Sequence, residues 1–182
     1  MKLRRAAVRL ALIFGSVLTM QTALAQAAAE ALCLIVYGHA RNSGDAAENA
    51  AWDSLNARFN EQVTRHLQAN GQRAESLLFK AGVTDVPEAI AALIERAQQR
   101  GCPRVADTAV FADAEAQTLV VRLRVHPLLG IAGPRAEPSA AVRIGEPVYA
   151  AQHDLAFSAR SLERVNLTAL AAQMVDGYLA RP

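Results

Sequence analysis

The chain is poor in the patterns from which enzymes are recognised. It has no Gly-x-Ser-x-Gly elbow, no His-Glu-x-x-His, no Cys-x-x-Cys and no phosphate-cradling glycine loop. Those absences set aside the motif-bearing serine hydrolases, zinc peptidases, dithiol oxidoreductases and phosphate-loop enzymes. No internal repeat is present, and no low-complexity tract beyond the alanine-rich junction near residue 25. Beyond the first 25 residues no apolar run is long enough to cross a bilayer. Lysine is scarce too: only Lys2 and Lys80 occur against plentiful arginine, a compositional bias that carries no mechanism.

What is present begins with an address. Lys2, Arg4, Arg5 and Arg9 form a basic start, an apolar run extends from Leu10 to Met20, and Ala23-Leu24-Ala25 supplies the small-x-small pattern cut by signal peptidase. Residues 1–25 therefore read as a signal peptide, and 26–182 as a single exported α/β domain of periplasmic localisation. The apolar run is shorter than the ~20 residues that span a bilayer, which argues against a retained anchor. Leu32 before Cys33 is too large for a lipobox, so the chain does not read as a lipoprotein.

Export changes the charge argument. The whole chain carries 19 Lys+Arg and 17 Asp+Glu, but the four basic residues of the leader depart with no acid, leaving a mildly acidic domain. The basic character that would hint at nucleic acid or an anionic membrane surface belongs to the discarded part. Cys33 and Cys102 are the only two cysteines. Outside the cytoplasm they are free to form a disulfide, the alternative being two buried thiols.

Three helices are predicted. Asp45 with Glu48 starts the first, whose Trp52, Leu55, Phe59, Val63 and Leu67 recur at steps of three and four until Asn70-Gly71. Asp85 with Glu88 starts the second, with Val86, Ile90, Leu93, Ile94 and Ala97 as its stripe and Gly101 and Pro103 as its stop. Asn166 caps the third, where Leu167, Leu170, Ala171, Met174, Val175 and Tyr178 share a face. Strands fill the gaps: 32–37, 75–79, 104–111, the alternating Leu119 to His126, and a fifth from about 141 to 157 broken near Gly145-Glu146-Pro147. The order is β-α-β-α-β-β-β-α. Right-handed crossovers make the first three strands parallel, with the first two helices on opposite faces. A Cys33–Cys102 bond would make strands one and three neighbours. The expected fold is a mixed five-stranded sheet of order 2-1-3-4-5 with helices on both faces.

This pattern resembles a known group. An apolar opening strand, a long helix ending in Leu-x-x-x-Gly at Leu67–Gly71, the strand Leu-Val-Val-Arg-Leu-Arg-Val ending near Gly130, and the closing helix Leu-Thr-Ala-Leu-Ala-Ala-Gln-Met-Val are similar to the TolB amino-terminal-like envelope-assembly domains. The group includes periplasmic accessory proteins for peptidoglycan synthases and for polysaccharide or curli secretion. The resemblance implies a non-catalytic envelope accessory protein with a protein partner and no cofactor, and it transfers no functional residue. Members are often lipoproteins, a feature this chain lacks.

Candidate sites are few. Arg122 and Arg124 project from one side of strand four, and Arg143 opens strand five, which is expected to lie beside it; three guanidinium groups there would receive a carboxylate or phosphate. The competing view is a solvated face paired with acids such as Glu115, Glu137 or Glu146. His39, His126 and His153 lack ligand spacing, and the order separates strand one, which His39 follows, from strands four and five by strand three, so no metal is expected. The 128–139 loop, with Leu128, Leu129 and Ile131 at its start, is long enough to be a contact or simply mobile. The alternative function, a small periplasmic hydrolase or ligand-binding protein, would use the turn after strand one, where His39, Arg41, Asn42, Ser43 and Asp45 cluster.

Overall fold

The computed structural model of the chain describes residues 32–39, 45–80, 85–130, 142–158 and 164–181. The leader, Arg41, Asn42, Ser43, and Ile131, Glu137 and the rest of 131–141 lie outside the described residues. The elements run β1 (Cys33–His39), α1 (Ala46–Ala69), β2 (Arg73–Phe79), α2 (Val86–Arg100), β3 (Arg104–Asp113), β4 (Thr118–Leu129), β5 (Arg143–Ile144), β6 (Tyr149–Ala156) and α3 (Leu167–Leu179). The sheet order is β2-β1-β3-β4-β5, with β6 also on β4. β1 is parallel to both β2 and β3, and every pairing made by β4 is antiparallel.

This is the order expected from the sequence, with one difference of count. The fifth strand is two, because the register shifts from Leu128↔Ile144 to Val125↔Tyr149 across the Gly145–Val148 interruption. Pro147 has no N–H to give a ladder, and the break falls around it.

Local chemistry explains the helix ends. Asp45 accepts from the Glu48 backbone N–H at 2.8 Å, and Asn166 accepts from Ala169 at 3.0 Å. Asp85 makes no side-chain cap bond, and Pro87 occupies the first turn of α2 instead. Gly101 ends α2 with φ +65°, the left-handed conformation glycine adopts without strain.

The two faces of the sheet are covered unequally. α1 and α3 pack side by side over Leu34, Val36, Ala106, Val110, Leu119, Val121, Leu123 and Val125. On the opposite face, among the described residues, α2 is the one helix and covers one end, where Leu93 and Ala97 meet Ile35, Val105 and the cysteines. Cys33 and Cys102 are bonded, with Cα atoms 4.5 Å apart, so the amino ends of β1 and β3 are clipped together.

A polar stripe runs through the α1 interface. Asn56, Asn60 and Thr64, one turn apart, are buried. The Asn60 amide donates to the Val36 carbonyl and to Thr108 Oγ1, both at 3.0 Å, and its oxygen accepts from Ser76. Gly38 makes room for this group: a Cβ there would meet Leu78, Asn60 and Thr108 at 3.0–3.1 Å. Gly38→Ala is therefore expected to cost about 2 kcal/mol in denaturant unfolding.

Gly177 has a comparable role inside α3, where a Cβ would lie 2.8 Å from the Tyr149 hydroxyl. That hydroxyl donates to the Met174 carbonyl at 2.7 Å. Alanine ordinarily favours a helix interior by ~1 kcal/mol over glycine, yet Gly177→Ala is expected to lower the melting temperature because the tyrosine must give up its bond. A rise in melting temperature would refute the close approach.

Candidate functional site

The registers place an array of polar side chains on the part of the sheet that α2 leaves open. One row across the strands is Tyr37–Asp107–Arg124–Ala150, and the next contains Ala109–Arg122–Gln152. Strand residues two apart share a face, so His39 from β1 and Phe111 from β3 belong to the same surface. The small Ala109 lies between the larger groups and is itself covered.

Asp107 is the centre of this array. It is 5% exposed, with His39 Nε2 at 3.4 Å from Oδ1 and Arg122 Nη2 at 3.6 Å from Oδ2. Both separations exceed the ~2.7–2.9 Å of a close charge-assisted hydrogen bond. Among the described residues neither Asp107 Oδ1 nor Arg122 Nε has a hydrogen-bond partner. The Arg122 guanidinium also lies 5.5 Å from the Phe111 ring centre, a cation–π arrangement that holds it against the sheet. Burial pushes the Tyr37 phenol well above its ordinary range and the Asp107 carboxylate adds to this, while Arg122 and Arg124 pull it back. The phenol therefore stays protonated at neutral pH.

The outcome for the sequence-derived candidates is mixed. Arg122 and Arg124 share the surface as anticipated. Arg143 does not join them, because β5 pairs with the far end of β4 and sets Arg143 opposite Leu129. Five residues of strand separate Leu129 from Arg124, roughly 17 Å. The anticipated acidic partners Glu115 and Glu146 are also replaced: among the described residues Arg122 pairs with Asp107 on the adjacent strand. His126 Nδ1 donates to the Gly145 carbonyl at 2.9 Å, and His153, opposite Val121, lies on the helix-covered side. Among the described residues no group of acids, histidines and cysteines is placed to hold a metal.

Sequence reasoning missed Asp107. It sits inside an apolar strand, and that isolation was the available sign: an acid among Val105, Ala106, Ala109 and Val110 needs a partner. Arg122→Ala removes the guanidinium paired with this carboxylate and leaves His39 as its ion-pair partner among the described residues, and is expected to cost about 2 kcal/mol of stability. Arg124→Ala is expected to stay within about 0.5 kcal/mol. Thermal unfolding of the two variants separates the roles.

Chemically, the array sets two guanidinium groups beside a buried carboxylate and an imidazole on one face of the sheet, in an α/β domain of three helices and a mixed sheet. No family model matches the chain, and no curated protein matches it. Among solved structures it is similar to the PelC dodecamer of Paraburkholderia phytofirmans, at 13% identity over 82% of this chain and 87% of that one, with a TM-score of 0.38. It is also similar to lipoprotein GNA1162 of Neisseria meningitidis, at 12% identity over 81% of this chain and 96% of that one, with a TM-score of 0.39. Among the described residues no helix is long and apolar enough to cross a membrane.

Proposed function

We propose that the chain is a non-catalytic accessory protein of the bacterial cell envelope, exported to the periplasm, that binds a protein partner through the open sheet face bearing Arg122 and Arg124. One observation carries the reading: two guanidinium groups stand on one face of β4 beyond the cover of α2, with Arg122 braced by Asp107 and Phe111. Arginine forks fixed on a rigid strand suit a carboxylate or phosphate on a partner. The Cys33–Cys102 bond supports export, since disulfides persist outside the reducing cytoplasm. The TolB amino-terminal-like pattern of strands and helices is the finer form of the same reading.

The test combines processing with capture. N-terminal sequencing of the exported protein is expected to begin at Gln26. Affinity capture from envelope extract is expected to retain a reproducible protein partner, and a variant carrying both Arg122→Ala and Arg124→Ala is expected to lose it while keeping its disulfide. Equal capture by both forms would refute the assigned face.

A second reading, a small hydrolase or ligand-binding protein, is favoured by the His39–Asp107 pair at the carboxyl end of β1. The strand order reverses there between β1 and β3, the place where open α/β sheets bind ligands. A small-molecule complex perturbing the His39 ring resonances would favour it over the accessory reading.

A further inference from the structure

β6 ends the sheet on one side, and its ladder with β4 fixes which backbone groups face outward. The Phe157 N–H donates to the Gln117 carbonyl at 2.9 Å, continuing the register that sets Ala156 opposite Thr118. Antiparallel pairs alternate between hydrogen-bonded and open. Tyr149, Ala151, His153 and Leu155 therefore spend their backbone groups on β4, while Ala150, Gln152, Asp154 and Ala156 direct theirs away from it. Among the described residues no strand pairs with that outer edge.

Edges of this kind are ordinarily blunted by lysine, proline or a bulge within the strand. β6 is eight residues long, contains neither lysine nor proline, and pairs with β4 in one unbroken register. The four outward residues also have exposed side chains. Two exposed apolar groups bracket the strand: Val148, 48% exposed, before it and Phe157, 40% exposed, after it.

We infer that β6 is a self-association edge, pairing antiparallel with β6 of a second copy of this chain to give one continuous sheet. The occupant follows from the sequence of the edge itself. With His153 on the two-fold axis, Ala150 faces the second copy's Ala156, and Gln152 faces the second copy's Asp154. Every outward residue then meets another outward residue, allowing roughly eight backbone hydrogen bonds. Within one chain Gln152 Nε2 already donates to Asp154 Oδ1 at 2.9 Å; across the axis the same donor and acceptor meet twice. Sliding by two residues one way puts Asp154 against Asp154, and the other way puts Gln152 against Gln152. Both slips forfeit a backbone pair, so charge and register select one arrangement. The joined sheet would carry Arg122 and Arg124 of both copies on one surface, on β4 strands about 14 Å apart at the ordinary strand spacing and offset along them.

The test is sedimentation velocity on the exported, disulfide-bonded protein over a concentration series. A monomer–dimer equilibrium is expected. Gln152→Pro removes an N–H that β4 does not use and blocks the outer edge; it is expected to weaken dimerisation by at least about tenfold with an unchanged circular dichroism spectrum. Gln152→Lys, which sets a cation opposite the second copy's Asp154, is expected to tighten it. Should the proline variant not fold, Gln152→Asp opposes two carboxylates and is expected to weaken dimerisation to a similar degree. A protein monomeric at every concentration, or a dimer indifferent to these substitutions, overturns the inference.

Discussion

Removing the Cys33–Cys102 bond, by Cys33→Ala with Cys102→Ala or by reduction of the native protein, is expected to lower the unfolding free energy by about 4 kcal/mol. The bond joins residues 69 apart in sequence, and a loop of that length restricts the unfolded chain strongly in the chain-entropy description. It also lies on the more thinly covered face: among the described residues α2 is the one helix there, with Leu93 and Ala97 as its buried residues. For a domain whose total stability is ~5–15 kcal/mol this is a large fraction. Denaturant titration with and without reductant measures it. Reduction leaves every side chain in place, so agreement between the reduced protein and the double-alanine variant separates loss of the cross-link from loss of packing. A difference below about 1 kcal/mol between oxidised and reduced protein would show that the clip is not a stabilising element.

Asn56→Ala is expected to cost about 3 kcal/mol, more than its small volume suggests. β1 pairs with β3 only as far as Thr108, and among the described residues no strand lies on the β1 side of β3 beyond that point. The Asn56 side chain takes the place of the missing strand, accepting from the Val110 N–H at 2.7 Å and donating to the Val110 carbonyl at 2.8 Å. Asn56 and Val110 are both buried, and alanine would leave two backbone groups there without partners, each at a cost of about 1–3 kcal/mol. Urea unfolding gives the energy, and faster amide exchange at Val110 locates it. Asn56→Asp is expected to do no better, since it keeps the acceptor but removes the donor and buries a charge. Wild-type stability in Asn56→Ala would mean that the amide does not act as a strand surrogate.

Much of the frame was legible in the residues. Leu55, Phe59, Val63 and Leu67 mark the buried face of α1, and the alternation from Leu119 to Val125 separates the helix-covered side of β4 from the side bearing Arg122 and Arg124. These readings succeed because periodicity is local: a strand repeats every two residues and a helix every 3.6 wherever the chain then goes. The strand order also followed, since handedness and one cross-link leave few topologies.

The array around Asp107 was not legible in the same way. It depends on the registers of three strands, and register is set by how whole faces pack, not by any residue's neighbours in the chain. The expectation that Arg143 would stand beside Arg122 failed for that reason, as the turn at Gly145–Val148 hands β4 over to a second strand and moves Arg143 opposite Leu129. The amide stripe of α1 hid in a helix that reads as ordinary and amphipathic, because the partners of Asn56 on β3 and of Asn60 on β1, β2 and β3 are met only once the helix is packed on the sheet. Sequence alone determined the helices, the strands up to β4 and the order of the sheet once Cys33 and Cys102 are joined, because these rest on local period and chain connectivity; the bond itself is seen in the structure. Tertiary structure alone decided which charges meet and which backbone groups need a side chain to satisfy them, because those depend on where strands stop relative to one another.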